Sequence, residues 1–172
     1  MIALTVNEGK TIQYHLRTPD FTDGLRLHHL VKLCPPLDVN SEYLYFLIGR
    51  DFASTSVIAE QNSQSIGFIS GYYRPQTTCF FVWQVAVHPE YRGHGIAMKM
   101  LEWITEKNPF DSIETTISPS NMASKSLFES FARKKGLSII QKPFLDSYKN
   151  TAGETHEKED LFRLIPHTNK EK

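Results

Sequence analysis

The chain has 172 residues, which suits one domain with a sizeable core. Its Lys and Arg total 19 and its Asp and Glu total 19, so no basic surplus exists to grip a polyanion, and nucleic acid is not expected as a partner. No stretch approaches the roughly 20 apolar residues of a membrane span, and Met1-Ile2-Ala3-Leu4-Thr5 lacks a signal-peptide pattern, so no membrane role and a cytoplasmic setting are expected.

Residues 1–10 are expected to be a flexible lead. Residues 12–17 alternate like a strand. Pro19-Asp20 starts a helix running to about Leu33, with Asp20 as its N-cap, and Pro35-Pro36 ends it. A second helix runs from Ser41, after Asn40 as a cap, to Phe52. Strands over 55–60 and 65–73 follow, joined by a short polar turn. The apolar run 80–87 is the next strand, and it turns at His88-Pro89 into a polar loop over 92–97. That loop leads into a helix with Ala97, Met100, Leu101 and Ile104 on one face. Residues 112–117 read as a strand. Pro119-Ser120-Asn121 opens a helix to Lys135, which Gly136 stops. Two more strands lie over 137–141 and 161–165. Residues 146–160 between them are polar and long for a plain connection, which points to a functional loop. Residues 167–172 are expected to be a disordered tail, leaving 11–166 as the domain. Cys34 and Cys79 lack ligand spacing and sit in apolar surroundings, so they read as reduced, buried thiols. His15, His28, His29, His88 and His94 also lack ligand spacing, and no metal is expected.

The unit strand, glycine loop, helix over 80–107 predicts what is held there. Amides at a helix start are unpaired and the helix dipole is positive at that end, so the loop suits phosphate oxygens. Gly93 and Gly95 let the main chain approach a ligand closely. No Gly-Lys-Ser/Thr follows, and the dinucleotide glycine pattern is absent, which excludes two common phosphate loops. The spacing Arg92-x-x-Gly95-x-Ala97, after Val-Ala-Val-His-Pro and before an amphipathic helix, resembles the pyrophosphate loop of the GNAT family of N-acetyltransferases. The resemblance covers about residues 12–166. It implies an α/β (α+β) fold with a mixed, mostly antiparallel sheet flanked by about four helices. The sheet would splay between its fourth and fifth strands, with the pantetheine arm of acetyl-coenzyme A in the gap. Val85, Ala86 and Val87 would offer main-chain groups to pantetheine and the thioester carbonyl. Arg92, Gly93, His94, Gly95, Ile96, Ala97 and Met98 would wrap the pyrophosphate. Asn121, Ser124, Leu127 and Phe128 match the family's second signature. Asn121 there is a pantetheine contact, and it is equally a helix cap. Phe128 departs from the family's tyrosine and has no proton for the leaving thiolate. Such a thiol leaves tolerably as its anion, and Tyr43 is a stand-in acid.

Further segments resemble one subgroup of that family, the diaminobutyrate acetyltransferases. They are Cys34-Pro35-Pro36-Leu37-Asp38-Val39-Asn40-Ser41, Gly67-Phe68-Ile69-Ser70-Gly71-Tyr72, the strand 81–87, Glu114-Thr115-Thr116-Ile117-Ser118-Pro119-Ser120-Asn121 and His156-Glu157-Lys158-Glu159. The subgroup acetylates the γ-amino group of L-2,4-diaminobutyrate, the step before ring closure to the osmoprotectant ectoine. By this resemblance Asp38 anchors an ammonium, and Glu157 and Glu159 supply the second anchor or the base. His156 is a base or proton relay, while Trp83 and Thr115 wall the amine channel with Tyr43 nearby. Only about one in a thousand such amines is neutral at pH 7, so a base is needed. Local chemistry alone also allows Asp38 as a turn former, Trp83 as core and 156–159 as a solvated loop. Neither cysteine lies on an activated-nucleophile element, which favours direct transfer in a ternary complex. The remaining readings are an acetyltransferase for ornithine, lysine or a similar small amine, or a coenzyme-A-binding module without turnover. A homodimer is expected by analogy with relatives.

Overall fold

Strand alternation, helix caps and glycine stops translate into fourteen elements in chain order. They are β1 (Ile2–Asn7), β2 (Lys10–Arg17), α1 (Gly24–Lys32), α2 (Glu42–Asp51), β3 (Ser56–Gln61), β4 (Gln64–Tyr73) and β5 (Cys79–Val87). Then come α3 (Ile96–Lys107), β6 (Ser112–Ile117), α4 (Met122–Lys135), β7 (Leu137–Leu145), β8 (Tyr148–Lys149), β9 (Thr155–His156) and β10 (Glu159–Pro166). This computed structural model describes residues 2–7, 10–149, 151 and 153–167, with side chains from Ile12 onward. Of the tail expected at 167–172, residues 168–172 lie outside the described residues.

Several boundaries differ from the sequence reading: β7 runs on to Leu145, β10 starts at Glu159, and α1 starts at Gly24 with Asp23 as its N-cap. The flexible lead expected at 1–10 contains β1, whose backbone pairs antiparallel with β2 from Ile2↔His15 to Asn7↔Lys10. The alternation of Ile2, Leu4 and Val6 is the strand signal, masked by the polar residues that follow it. The N-cap of α2 is Ser41 rather than Asn40, because the backbone is still extended at Ser41. The loop 146–160 carries a small hairpin, in which Tyr148 pairs with His156 and Lys149 with Thr155.

The chain forms two compact units interleaved in sequence, Met1–Tyr73 with Val82–Pro109 and Arg74–Phe81 with Phe110–Lys172. The strand β5 contributes residues to both. In the first unit the strands run in the order β1-β2-β3-β4-β5, and a core of Leu27, Leu30, Val31, Tyr45, Ile48 and Phe68 joins α1 and α2 to the sheet. The helix pair packs closely onto the preceding turn, since a Cβ at Gly49 would lie 2.1 Å from the Asp20 carbonyl oxygen. In the second unit β6 pairs antiparallel with β10, and β10 with β7. Within that unit the start of β5 pairs parallel with β6, from Cys79↔Ser112 to Phe81↔Glu114. Phe128, Phe131 and Ala132 on α4 are buried, as are Leu161, Phe162 and Leu164 on β10.

A charged network ties the first unit together. Asp20 caps the turn before α1 by accepting from Thr22 N at 2.7 Å, while Asp23 accepts from Asp20 N at 2.8 Å. Asp23 is fully buried and takes a bidentate pair from Arg17 at 2.7 and 2.8 Å, with Arg26 against the same carboxylate. Arg17 also reaches Glu60 on β3. Burial alone would raise the Asp23 carboxyl, but the Arg17 hydrogen bonds, the Asp20 amide and the nearby guanidinium charges outweigh it and hold it below the ordinary range. A depressed carboxyl stabilises the fold above the unfolded value of about 3.9 and loses that contribution as pH falls through the folded value. Asp23→Asn should therefore cost about 3 kcal/mol at pH 7, the cost of breaking a buried pair. Thermal melts should show the deficit shrinking in strong acid, where the parent carboxyl is protonated too.

Candidate active site

In the first unit, the site is built on the second half of β5. Gln84 is a polar residue inside an apolar strand, buried at 6% exposure. Its Nε2 donates to the Asp38 carbonyl at 2.9 Å, and its Oε1 accepts from the Tyr45 hydroxyl at 3.4 Å. Three residues on, the Val87 carbonyl accepts from Cys34 Sγ at 3.3 Å and from Arg92 Nε at 3.1 Å. These bonds fasten both the 34–40 loop and the glycine loop to one strand. His88 N donates to Ile66 O at 2.9 Å, and the His88 ring caps the Pro89–Tyr91 turn by accepting from Glu90 N. Gly93 and Gly95 both adopt left-handed backbone, with φ of 79° and 70°. Gly95 is the N-cap of the twelve-residue α3, and its carbonyl accepts from Lys99 N.

The loop fits a diphosphate. A Cβ at Gly93 or at Gly95 would meet nothing within 4 Å, so open space lies before both residues. Amides at a helix start are unpaired and the dipole is positive there, which suits an anion. His94 Nδ1 is buried there without a hydrogen-bond partner among the described residues. Ile96 is buried and anchors the helix, whereas Ala97, Met98 and Val85 are half-buried. On the amine side of this unit, Trp83 is 42% exposed and meets Tyr72 edge-on at 6.3 Å. The Asp38 side chain is exposed, and Tyr43 is 68% exposed at the start of α2. Tyr43 therefore faces solvent, and its hydroxyl is not enclosed as an acid catalyst's would be.

The second unit brings the late-loop residues together. Glu157 accepts from Ser120 N at 3.2 Å and from Ser120 Oγ at 2.5 Å, so both its oxygens are engaged and it acts as a clamp on the chain before α4. The His156 ring nitrogen Nδ1 lies 2.7 Å from the Glu157 carbonyl oxygen. A carbonyl only accepts, so Nδ1 carries the hydrogen and Nε2 is the basic nitrogen of the neutral ring. Glu159 Oε1 stands 3.8 Å from Nε2. A basic ring nitrogen and a carboxylate thus stand side by side on the late loop. Thr115 is buried on β6 beside Phe162. Asn121 Oδ1 accepts from Ser124 N at 3.1 Å, which makes it the α4 cap, and Phe128 is buried at 1% exposure.

Sequence reasoning missed several residues. Gln84 could have been found as the one amide in an apolar run. Glu114, buried at 3% within Ser-Ile-Glu-Thr-Thr-Ile, was another such signal. Its carboxylate accepts from Arg74 at 2.5 Å and faces Arg163 at 3.7 Å in a cleft of about 510 Å³ within the second unit. Ser120 and Tyr148 gave no sequence signal, because their partners lie 37 and 8 residues away. Among the described residues, no group of three or more His, Cys, Asp or Glu could hold a metal ion, and no helix is long and apolar enough to cross a membrane.

Comparison with known proteins supplies the family. The acetyltransferase (GNAT) family matches residues 16–132. An L-2,4-diaminobutyric acid acetyltransferase of Bordetella parapertussis is 40% identical over 165 residues, covering 93% of this chain and 88% of that protein. One from Vibrio cholerae is 39% identical over 168 residues, covering 95% and 96%. The solved diaminobutyrate acetyltransferase EctA of Paenibacillus lautus, in complex with L-2,4-diaminobutyric acid and coenzyme A, superposes with a TM-score of 0.86 at 37% identity. The match covers 92% of this chain and 98% of that one.

Both cysteines are free and buried. Burial raises the Cys34 thiol above its ordinary value, more than the nearby Arg92 lowers it, and burial likewise raises Cys79. Neither is a thiolate nucleophile near neutrality. Iodoacetamide at pH 8 should label the folded protein far more slowly than a free thiol and label both cysteines fully in denaturant. Quenched turnover should show no acetyl-cysteine by mass spectrometry.

Proposed function

We propose that this chain, which belongs to the acetyltransferase (GNAT) family, transfers an acetyl group from acetyl-coenzyme A to the γ-amino group of L-2,4-diaminobutyrate. The observation that carries this reading is the near full-length likeness to an acetyltransferase solved with that amino acid and coenzyme A. The residues of the chain fit the chemistry. Acetyl-coenzyme A supplies an activated acyl group, and the loop of Arg92, Gly93, His94, Gly95, Ile96, Ala97 and Met98 holds its diphosphate. The main chain of Val85, Ala86 and Val87 offers strand hydrogen bonds to the pantetheine arm. Asn121 can join them through its amide nitrogen, because the α4 cap uses only the oxygen.

Diaminobutyrate brings two ammonium groups, and one must lose a proton before it attacks. His156 takes that proton at Nε2, and Glu159 balances the charge that forms. Asp38 anchors the other ammonium, with the Trp83 ring and the Thr115 hydroxyl shaping the amine's approach. Glu157 contributes by holding His156 rather than by touching the amine. Direct transfer needs no acyl-enzyme, in keeping with the two protonated thiols. Phe128 gives no proton to the departing sulfur, and a thiol of pKa about 8.5 leaves as the anion.

We extend the reading in four respects. The acetyltransferase domain spans residues 11–166, with β1 paired along its first strand. The product feeds the ring closure that makes ectoine, which gives the enzyme a role in osmoprotection. Two unlinked, buried cysteines suit a cytoplasmic setting. A homodimer is supported by the terminal strand β7, which leaves Ile140, Phe144 and Leu145 exposed.

Thiol release from acetyl-coenzyme A in the presence of diaminobutyrate tests the activity, with ornithine and lysine as competitors. One methylene of pocket mismatch is worth about 1–3 kcal/mol, so diaminobutyrate should lead on kcat/KM by tenfold or more. No release with any amine would leave a binding module. His156→Ala should lower kcat by about 100-fold or more, and Glu159→Ala should also slow turnover, each with the KM for acetyl-coenzyme A unchanged. Gly95→Val, forced to a φ that branched residues avoid, should weaken coenzyme A binding in calorimetry.

A further inference from the structure

His156 sits on a two-residue strand in a loop, where an imidazole would ordinarily swing between rotamers. Three contacts prevent this. The Nδ1 hydrogen bond to the Glu157 carbonyl fixes rotation within the ring plane. Glu157 is itself pinned by two bonds from Ser120. The third contact comes from Tyr148, which lies opposite His156 in the β8–β9 register. Its ring stacks on the imidazole with centroids 4.9 Å apart and planes within 15°. Five other ring pairs cross at 42° to 85°, His28–Tyr45 and His88–Tyr91 among them. A tilted ring restrains a neighbour at an edge, whereas a flat stack sets the whole plane.

We infer that Tyr148 is a positioning residue for His156, its ring fixing the imidazole plane so that Nε2 stays directed at Glu159 and the incoming amine. Its role rests on the reading of His156 as proton acceptor. The hydrogen bond and the stack restrict different rotations of the ring. The hydroxyl of Tyr148 has no part in this, and it is the face that matters. Almost half of the Tyr148 side chain is open to solvent, so its truncation removes the stack without opening a core.

The experiment compares Tyr148→Ala, Tyr148→Phe and His156→Ala for turnover and for the NMR signals of the His156 ring. Tyr148→Ala should lower kcat for diaminobutyrate by about tenfold, as a displaced catalytic group does, with the KM for acetyl-coenzyme A unchanged. Tyr148→Phe should restore the parent rate. The ring-current shift on the His156 Hε1 proton should vanish in the alanine variant and persist in the phenylalanine one. An unchanged rate for Tyr148→Ala beside a damaged His156→Ala overturns the inference, as does equal damage from Ala and Phe. Should His156→Ala turn over normally, the assignment of the base is what fails. An unchanged Hε1 shift in Tyr148→Ala then disproves the stack by itself.

Discussion

Main-chain carbonyls on a buried strand must find donors, and in β5 that requirement organises the first unit. Val87 carries two donors on one oxygen, a thiol from the loop after α1 and a guanidinium from the glycine loop. Gln84 does the same work with its side chain, bridging the Asp38 carbonyl and the Tyr45 hydroxyl. Because an unsatisfied buried polar group costs about 1–3 kcal/mol, these bonds resist the loops drifting away from the strand. The strand thus determines where Asp38 and Arg92 stand. Cys34 belongs to this arrangement as a hydrogen-bond donor, which explains a buried thiol without invoking reactivity.

The second unit solves a different problem, that of holding a charged cluster on a long polar loop. It does so with local geometry rather than burial. The β8–β9 pairing, the Ser120–Glu157 clamp and the ring stack each fix one degree of freedom around His156. The tautomer follows from the acceptor at Nδ1, so the same contact that orients the ring selects the nitrogen that takes a proton. A carboxylate oxygen of Glu159 stands 3.8 Å from that nitrogen.

Much of this was legible in the sequence, for physical reasons that differ by element. The helices α3 and α4 announce themselves by apolar spacing and by Gly95 and Gly136, which take the left-handed backbone at their ends. The glycine loop is legible because its chemistry is main-chain chemistry, set by where glycine is allowed. Side-chain roles were less legible. The sequence allowed Glu157 as an amine ligand, and only the geometry shows both its oxygens on Ser120. Asn121 was equally readable as a cap or a ligand, and the cap is present. Tyr43, the stand-in acid, is exposed at the start of α2. Contacts such as Arg17–Glu60, 43 residues apart, leave no local pattern to read.

The passage of β5 through both units has a consequence for any attempt to dissect the molecule. Residues 74–81 belong with 110–172, yet they precede 82–109 in the chain. A cut after Pro109 therefore strands Cys79, Phe80 and Phe81 on the wrong fragment. The downstream piece would keep β6 but lose the strand that covers its edge from Ser112 to Glu114, exposing backbone amides that invite misassociation. Neither unit is one continuous stretch of sequence, so no single cut of the chain parts one from the other.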